Sequence, residues 1–505
     1  MKCGQCRHTF GHGGPALRQT DTYHYALSVS EEQDPGGGLG FVIGAGVHTE
    51  LNSATALCCH SHSVYCFATI ASFDRLRDVV MPSHQSHNVF RYAGEFAEAV
   101  ITGAKGAYIR DENGREILDF TSGQMSSILG HGHDEIVATV NEAVERLDHL
   151  HSSFLSDTVI EFTSALSSLL PDSLSKVLPL STGAESNEAA MRMAKLVTGG
   201  FEIVAFDRSW HGMTGAASAT TFNGGRRGYG PPVPGVLTLP TPHAYRSPFA
   251  ANGHYDWRAE LDWGFETIDR QSVGALAAMI AEPILSSGGI IELPSGYLSA
   301  LAEHCRARGM LLILDEAQTG LGRTGTRFAF EHEGVVPDIL TLSKTLGAGL
   351  PLSATITSEA IEQTCVERKF LFYTTHTSDP LPAAVGRKVI EIVVRDRLEE
   401  RARELGAYLL AGLRDLQQRH EPIGDVRGRG LFLGVELVRD RHSKQPAHEL
   451  GFAVSRRCIE LGASLNIGRH GVANIFRIAP PLTVTRGQID TAVSILDQAL
   501  TECRD

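Results

Sequence analysis

The sequence predicts an α/β protein in which a large domain with a mainly parallel central sheet precedes a smaller α+β domain. Between residues 136 and 390, helical stretches alternate with short apolar runs at 202–206, 276–280, 311–314 and 339–342. This alternation is typical of strand–helix–strand units and therefore of parallel strands. After residue 390 come a long charged helix, a Gly-rich hairpin, another helix, a strand and a terminal helix. That order indicates a separate α+β unit.

Four segments follow from these patterns. Residues 1–88 form an N-terminal extension rich in Gly, His, Ser and Cys, whose lack of periodicity predicts disorder. Residues 89–135 form a segment that packs with the small domain and contains two alternating strands around an Asn-Gly turn, a strong hairpin signal. Residues 136–390 form the large domain, and residues 391–505 form the small domain.

The extension carries Cys3, Cys6, His8 and His12, which suggest a zinc knuckle as an alternative to disorder, although their spacing fits structural zinc sites poorly. No signal peptide is predicted, and acidic residues interrupt any transit peptide. The nine cysteines form no recognisable disulfide framework, as expected in a reducing compartment. We therefore expect a cytoplasmic protein, with mitochondria as the alternative location.

The composition favours an enzyme acting on small molecules. A hydrophobic content of 42% and a charged content of 20% are ordinary for a globular protein. The net charge of -13 argues against nucleic-acid binding, which needs a basic surface. No apolar run is long enough to span a membrane. We expect neither nucleic-acid nor membrane partners.

A carboxylate and a lysine each follow a short buried run. Asp315 comes directly after residues 311–314, and Lys344 comes shortly after residues 339–342 in a Gly-rich turn. Ligands of α/β sheets bind at the carboxyl ends of strands, so both side chains are expected at one edge. Pyridoxal phosphate (PLP) needs this pair: an amine to condense with its aldehyde, and a carboxylate to keep its pyridine nitrogen protonated. The alternative, a solvated surface lysine, is disfavoured by this context.

Two further features suit the same cofactor. The backbone amides of Gly183 and Ala184 begin a strong helix-forming run, where they would face a phosphate. A capping box of Thr182 and Glu185 explains the same residues equally well and stays open. Trp210 follows a predicted strand and offers a flat surface to a ring, although core filling is its alternative role.

These motifs, in this order, resemble the class III aminotransferases of PLP fold type I over about residues 90–500. The resemblance is carried by residues 119–125, 180–195, 209–216, 281–294, 315–325, 340–352, 372–382 and 476–483. The Asp-Glu-x-Gln-Thr-Gly-x-Gly-Arg-Thr-Gly and Ser-Lys motifs are shared across the class. The Gln-Met pair, the Trp-His-Gly-Met run and the Ser-Ser-Gly-Gly run are closer to the 2,2-dialkylglycine decarboxylases within it.

The resemblance implies a role for each matching residue. Lys344 would hold PLP and move protons, while Asp315 would pair with the pyridine nitrogen. Gln318 would contact the phenolic oxygen of the cofactor, and Trp210 would stack on its ring. Arg477 would bind the substrate carboxylate, for which its planar pair of donors is suited. Without the resemblance, a strand arginine in a surface ion pair would be the favoured interpretation of Arg477.

The phosphate of the cofactor would be bound by Gly183 and Ala184 together with the partner subunit's Thr375. The resemblance therefore implies a homodimer or a homotetramer. It also suggests a K⁺ or Na⁺ site, for which oxygen ligands are suited. Its matching positions are Leu150, Ser152, Thr375, Thr377 and Asp379, with a polar loop without an ion as the alternative.

The expected reaction is a decarboxylating transamination. A dialkylglycine such as 2-aminoisobutyrate would give CO2 and a ketone, and pyruvate, a 2-oxo acid, would become L-alanine. Gln124, Trp210, Met213 and Ser287 would form the subsite that directs the carboxylate for cleavage. An omega-type class III aminotransferase without CO2 loss is the first alternative, and a non-catalytic protein of the same fold is the second. Residues 468–474 differ from the family pattern, which leaves substrate preference open.

Overall fold

The computed structural model describes the backbone of residues 27–33 and 39–45, and residues 88–90, 92, 96–97, 99–224, 226–251, 254–467 and 473–503. The chain divides into two units, Met1–Phe90 and Arg91–Asp505. In the first unit, strands β1 (Leu27–Gln33) and β2 (Leu39–Ala45) pair antiparallel. The disorder expected for residues 1–88 does not extend to these strands. The rest of that stretch, with the alternative zinc ligands Cys3, Cys6, His8 and His12, lies outside the described residues.

The second unit begins with a small antiparallel ribbon. Its strands are β3 (Ile101–Lys105), β4 (Tyr108–Asp111) and β5 (Glu116–Asp119), and a short helical turn α1 (Ser122–Met125) follows them. The hairpin predicted from the Asn-Gly turn is confirmed as β4 and β5. Gly114 has a φ of 81°, a conformation that glycine adopts without strain.

The described residues between 176 and 357 form eleven strands: β6 (Lys176–Leu180), β7 (Glu202–Phe206), β8 (Val236–Leu239), β9 (Ala250–Ala251), β10 (His254–Tyr255), β11 (Leu276–Ala281), β12 (Ile284–Leu285), β13 (Ile291–Glu292), β14 (Leu311–Asp315), β15 (Ile339–Leu342) and β16 (Ser353–Thr357). Seven of them form one sheet in the order β6-β16-β15-β14-β11-β7-β8. Within this sheet, β16 pairs antiparallel with β6 and with β15, and the other neighbouring strands pair in parallel. The four predicted runs are therefore confirmed as strands of a mainly parallel sheet.

Helices accompany this sheet: α2 (Asp134–Arg146), α3 (Asp157–Ser167), α4 (Gly183–Thr198), α5 (Gly215–Ala219), α6 (Trp257–Gln271), α7 (Tyr297–Ala307), α8 (Glu359–Glu367) and α9 (Pro380–Arg395). The central strands are almost wholly buried, as expected when helices cover both faces of a parallel sheet. Helix α4 packs directly on β11, β14, β15 and β16 through small residues such as Ala190 and Ala194. This close packing brings the start of α4 to the edge of the sheet.

The C-terminal part contains α10 (Leu398–Arg419), β17 (Ile423–Arg429), β18 (Phe432–Leu437), α11 (His448–Leu461), β19 (Ala463–Ser464), β20 (Asn466–Ile467), β21 (Ile475–Ile478) and α12 (Arg486–Glu502). Four of its strands form a sheet in the order β17-β18-β21-β20, and β19 pairs in parallel with β5. Chain segments far apart in sequence therefore share one small sheet. The exact domain boundaries stay a prediction. No helix that the structure describes has the length and apolar character needed to cross a membrane.

Two glycines of helix α10 test how closely this helix packs against its neighbours, because the space around each of them is different. A methyl group at Gly406 would lie 2.1 Å from the carbonyl oxygen of Gly430, whereas at Gly412 it would meet only the Val493 side chain, at 3.4 Å or more. We expect Gly406→Ala to lower the free energy of unfolding by about 2 kcal/mol, because backbone must move. Gly412→Ala should leave it unchanged or raise it by up to about 1 kcal/mol.

Thermal unfolding of the two variants beside the unchanged protein measures this difference. Equal midpoints for Gly406→Ala and Gly412→Ala would contradict the close approach of α10 to residue 430.

Candidate active site

A cavity lies beyond the carboxyl ends of strands β11, β14 and β15. Six of the residues predicted from the sequence line it: Gly183, Ala184, Trp210, Asp315, Gln318 and Lys344. The central expectation, that Asp315 and Lys344 meet at one edge of the sheet, is therefore supported by the structure. Parallel strands explain the convergence, because their carboxyl ends all meet at this edge.

Asp315 ends strand β14 and is held by three groups that the fold supplies. Its Oδ2 atom accepts a hydrogen bond from Asn187 Nδ2 at 2.7 Å and lies 2.8 Å from His211 Nδ1, and its Oδ1 accepts from the Ala317 amide at 3.0 Å. Burial alone raises the pKa of Asp315, but these hydrogen bonds and the charge of His211 outweigh it and hold the pKa below its usual value. The carboxylate is thus kept ionised in the interior.

Asn187 and His211 are site residues that the sequence reasoning did not assign. The Asn187 amide also donates to the His211 carbonyl oxygen at 2.8 Å and accepts from Thr341 Oγ1 at 2.7 Å. The Asn187 amide that faces Asp315 is therefore oriented by two further contacts. Asn187 could have been identified from its position in the sequence, because it lies one helical turn after Gly183 and therefore on the same face of α4.

Lys344 follows β15 in a short 3-10 turn and is partly buried at the cavity. Loss of solvent lowers the pKa of its amine, and the negative charges of Asp315 and Glu282 oppose that effect only in part. The positive charge of Arg477 lowers the pKa of Lys344 further. A lysine with a lowered pKa loses its proton more readily, which a nucleophilic or proton-transferring amine requires.

The geometry at the start of α4 is compatible with both interpretations of its sequence. Thr182 caps the helix and Glu185 completes a capping box, so that predicted alternative is confirmed. The Glu185 carboxylate accepts from the amides of Ser181 and Thr182, at 3.0 Å each. Gly183 and Ala184 come next and line the cavity. The capping box therefore does not compete with a phosphate at those two residues.

Glu282, which follows β11, is a third residue that the sequence reasoning did not assign. Its carboxylate accepts from the Trp210 amide at 2.9 Å and from the Ser286 amide at 3.0 Å. Burial raises the pKa of Glu282 to about 7; the charge of Asp315 adds to this, and that of His211 opposes it. Glu282 could have been identified from the sequence, because it comes directly after a buried apolar run, as Asp315 comes at the end of the neighbouring strand β14.

Arg477 on β21 faces the two serines that follow β12. Its Nη1 atom donates to Ser287 Oγ at 3.3 Å and to Ser286 Oγ at 3.5 Å. Ser286 Oγ in turn donates to Gln318 Oε1 at 2.7 Å. Burial lowers the pKa of Arg477 to about 10, so the guanidinium stays charged at neutral pH. The Arg477 guanidinium is therefore linked to the cavity wall through Ser286 and the predicted residue Gln318, and it also contacts the predicted residue Ser287.

The turn after β5 is strained and lies beside Lys344. Ser122, Gly123 and Met125 all have positive φ angles. The turn is held because Asp119 accepts from the amides of Thr121 and Gly123, at 3.0 and 2.7 Å. Backbone strain of this kind persists only where surrounding contacts enforce it.

The same turn touches both ends of the site. Ser126 Oγ donates to the Lys344 carbonyl oxygen at 2.9 Å, and Ser122 Oγ donates to the Ala479 carbonyl oxygen at 2.6 Å, two residues beyond Arg477. Gln124 lies within this turn, although its side chain is exposed and does not line the cavity. Met213 is 51% exposed and also lies outside the lining. Of the four residues expected to form the cleavage subsite, only Trp210 lines the cavity itself.

The loop before α9 holds the residues expected to serve a partner subunit and an ion. Thr375 is exposed and does not line the cavity of its own chain. The two oxygens of Asp379 lie 2.6 Å from His149 Nδ1 and 2.5 Å from His376 Nδ1. Thr377 Oγ1 accepts from the Thr374 amide at 2.8 Å. Leu150 is half-buried and Ser152 is exposed.

These contacts do not support the expected K⁺ or Na⁺ site. The Asp379 carboxylate, its one charged ligand, faces two imidazoles instead of an open coordination position. His149 and His376 were not expected here, because an alkali-metal site is built from oxygen ligands and histidine offers nitrogen. The histidines form with Asp379 a compact cluster whose candidate ligand atoms lie within 4.8 Å of one another.

The cavity fits PLP on features of the chain itself. An ionised carboxylate, a lysine amine and a helix start line one space. Gly212 lies close to the start of α4, where a Cβ atom at residue 212 would be only 2.6 Å from the Ala184 Cβ. The start of the helix is therefore open to a ligand because residue 212 has no side chain. The buried Nε2 atom of His211 also has no hydrogen-bond partner among the described residues. These donors and acceptors match a phosphate, a pyridine nitrogen and an aldehyde.

Comparison with known proteins agrees with this chemistry. The model of the family described as aminotransferase class-III matches residues 91–500. An uncharacterized aminotransferase of Schizosaccharomyces pombe is 53% identical over 428 residues, which cover 84% of this chain and 96% of the relative. The mitochondrial alanine–glyoxylate aminotransferase 2 homolog 2 of Arabidopsis thaliana is 36% identical over 402 residues, covering 80% and 83%.

Solved structures show the same fold. A thermostable (S)-enantioselective omega-transaminase from Thermomicrobium roseum superposes with a TM-score of 0.76 at 33% identity, covering 84% of this chain and 97% of that one. A Bacillus anthracis aminotransferase superposes with a TM-score of 0.79 at 28% identity, covering 85% and 99%. The predicted α/β fold of PLP fold type I is thereby confirmed.

The raised pKa of Glu282 predicts a pH-dependent stability. Between its usual value of 4.5 and about 7, the folded protein keeps a proton that the unfolded chain has lost. This group therefore stabilises the fold at pH 4.5 and below, and its contribution is lost as the pH rises to 7. In cofactor-free protein, raising the pH from 5 to 8 should cost on the order of 2 to 3 kcal/mol through this group.

Urea unfolding at pH 5 and pH 8 measures the effect in the unchanged protein and in Glu282→Gln. The variant should lose less stability between the two pH values. An identical loss in both proteins would contradict the raised pKa of Glu282.

Proposed function

Because this chain belongs to the class III aminotransferase family, whose cofactor is PLP, we propose that it couples transamination to the loss of CO2. The proposed donor is a 2,2-dialkylglycine such as 2-aminoisobutyrate, and the proposed acceptor is pyruvate. Together they would give acetone, CO2 and L-alanine, a reaction in which all atoms balance. The aminotransferase activity follows from the family, and the decarboxylation is our inference.

The observation that carries the proposal is the contact between the strained turn and Lys344. Ser126 donates a hydrogen bond to the Lys344 carbonyl oxygen, and Gln124 lies two residues before Ser126 in the same turn. Arg477 donates to Ser286 and Ser287. We therefore infer two positions for a carboxylate, one at the neutral amide of Gln124 and one at the guanidinium of Arg477.

These two positions suit the two halves of the reaction. When bound, PLP supplies an electron sink for the bond that breaks at the substrate α-carbon. A neutral amide such as Gln124 can orient a carboxylate without stabilising its charge strongly, so the ground state would not be bound too tightly. Arg477 would instead bind the carboxylate of pyruvate and of L-alanine in a bidentate manner. Lys344 Nζ would hold the proton that is exchanged at the α-carbon.

Three further residues would contact the ring of the cofactor. Asp315 would hold the pyridine nitrogen protonated, and Gln318 would contact the phenolic oxygen. Trp210 would stack on the ring. Because Asp315 is kept ionised by His211 and Asn187, it is suited to a positively charged ring nitrogen.

The phosphate would be bound by Gly183 and Ala184 and by the partner subunit's Thr375. Two features support a homodimer or homotetramer: Thr375 is exposed on its own chain, and Leu371 and Tyr373 nearby are 70% and 66% exposed. Large exposed apolar side chains next to a site commonly mark an interface.

Transamination without CO2 loss is the second candidate, favoured by the relatives whose names describe alanine–glyoxylate aminotransferases. Met213 and Gln124 lie outside the cavity lining, which also favours it. For location we propose the cytoplasm, although the same relatives are named as mitochondrial.

The use of 2-aminoisobutyrate as a donor distinguishes the two candidates, because this amino acid has no α-hydrogen and can give up its amine only with loss of CO2. With 2-aminoisobutyrate and pyruvate, we expect one CO2 for each L-alanine, measured by headspace gas analysis and chromatography. Gln124→Ala should lower the rate of CO2 release about 100-fold and affect transamination between L-alanine and a 2-oxo acid far less. If the enzyme transaminates between L-alanine and a 2-oxo acid but forms neither CO2 nor L-alanine from 2-aminoisobutyrate, the decarboxylating proposal is excluded and the second candidate is left.

The cofactor assignment predicts a spectral signature. The purified protein should show an absorbance band near the edge of the visible range from lysine-bound PLP. Lys344→Ala should abolish this band, whereas Lys105→Ala, at a lysine whose side chain is 66% exposed, should keep it. A band that survives in Lys344→Ala would contradict the role of this lysine and would leave a different residue to be found.

A further inference from the structure

Three strands of the C-terminal sheet bring two arginines into one row. Arg427 on β17 pairs with Gly434 on β18, and Gly434 pairs with Arg477 on β21. Residues directly opposite each other in antiparallel strands point to the same face of the sheet. The side chains of Arg427 and Arg477 therefore lie on the same face of the sheet, with Gly434, which has no side chain, between them.

Residues 286–290, which we call the serine turn, lie on this face. A Cβ atom at Gly434 would lie 3.0 Å from Ile290 Cβ and 3.3 Å from the Gly289 carbonyl oxygen. The turn closes on itself, because the amides of Gly289 and Ile290 donate to the Ser286 carbonyl oxygen at 3.0 and 3.1 Å. Gly289 and Ile290 have φ angles of 119° and 54°, so the turn is held in a sparsely populated conformation.

Arg427 holds the far end of the serine turn. Its Nε donates to the carbonyl oxygens of Gly289 and Ile290 at 2.9 and 3.1 Å, and its Nη2 donates to Gly289 at 2.6 Å. Its Nη1 pairs with Asp425 at 2.7 Å and with the fully buried Glu436 at 2.8 Å. Since all three nitrogens are engaged by the fold, Arg427 is suited to hold the turn and not to bind a substrate.

Arg477 contacts the near end of the same turn. It reaches Ser286 Oγ and Ser287 Oγ, and Ser286 is fixed in turn by Gln318 and by the Glu282 carboxylate that accepts from its amide. The direction in which the Arg477 side chain points therefore depends on where the serine turn lies. That position depends on Arg427 at one end and on the absence of a side chain at Gly434 beneath.

We propose that Arg427 and Gly434 are positioning residues for carboxylate recognition. They fix the height of the serine turn above the sheet, and the serine turn aims the Arg477 guanidinium at the substrate carboxylate. This inference rests on the proposed role of Arg477 in binding that carboxylate. Bidentate capture needs close alignment of two planar groups, so a small displacement of the turn weakens it.

Two substitutions displace the serine turn from opposite sides. Arg427→Lys keeps a positive charge for Glu436 but cannot reproduce the fixed fork that donates to two carbonyl oxygens. Gly434→Ala places a methyl group against Ile290 and Gly289. Arg429→Lys is the matched control, because Arg429 lies on the same strand in an exposed ion pair with Glu292 that a lysine can keep.

The test uses the holoenzyme and L-lactate, the analogue of L-alanine that has a hydroxyl in place of the reactive amine. Its dissociation constant is measured by isothermal titration calorimetry, together with the absorbance band of the bound cofactor. Arg427→Lys and Gly434→Ala should weaken L-lactate binding about tenfold and keep the cofactor band. In steady-state kinetics they should raise the KM for pyruvate more than they lower kcat. Arg429→Lys should match the unchanged enzyme in both measurements.

Arg477→Gln separates this inference from the role on which it rests. If Arg477→Gln binds L-lactate as tightly as the unchanged enzyme, the role of Arg477 itself fails. If Arg477→Gln weakens binding while Arg427→Lys binds normally, the positioning role is overturned and that of Arg477 stands. Loss of the cofactor band in Arg427→Lys would indicate a general structural role and would also overturn the proposal. Should Gly434→Ala not fold, Arg427→Lys alone decides.

Discussion

The site depends on one buried carboxylate. Asp315 stays ionised in the interior because His211, Asn187 and the Ala317 amide together compensate for its loss of solvent. An unpaired charge at this depth would cost several kcal/mol, so these partners are a condition for having an acid there at all. They come from three separate parts of the chain, which means that the sheet and α4 must pack correctly before the site exists.

The fold could be predicted from the sequence because its signals are local. Strands β7, β11, β14 and β15 are short apolar runs separated by helical stretches, and the Asn-Gly turn identifies the hairpin of β4 and β5. The two strands within residues 1–88 were not anticipated, because the Gly-, His-, Ser- and Cys-rich composition of the whole segment outweighed the short apolar run of β2. The pairing of β5 with β19 joins residues too distant in sequence for any local pattern to show it.

The reactive groups could be predicted, but their supporting contacts could not. Asp315 ends one buried strand and Lys344 follows another, and the carboxyl ends of parallel strands lie at the same edge of a sheet. Asn187 and Glu282 act through hydrogen bonds that depend on the angle between α4 and the sheet and on the path of the following loops. For Asp379 the sequence suggested oxygen ligands for an ion, whereas the fold brings two histidines to its carboxylate.

The parallel pairing of β5 with β19 also constrains how the chain folds. Leu118 lies opposite Ala463, so β5, which already pairs with β4, obtains its second neighbour only when nearly the whole chain has been made. During synthesis, the central sheet and its helices can form before this pairing, while one edge of the ribbon of β3 to β5 is still unpaired. A ribosome-bound fragment that ends before residue 463 also lacks Arg477, so we expect it to be inactive even where its central sheet has folded.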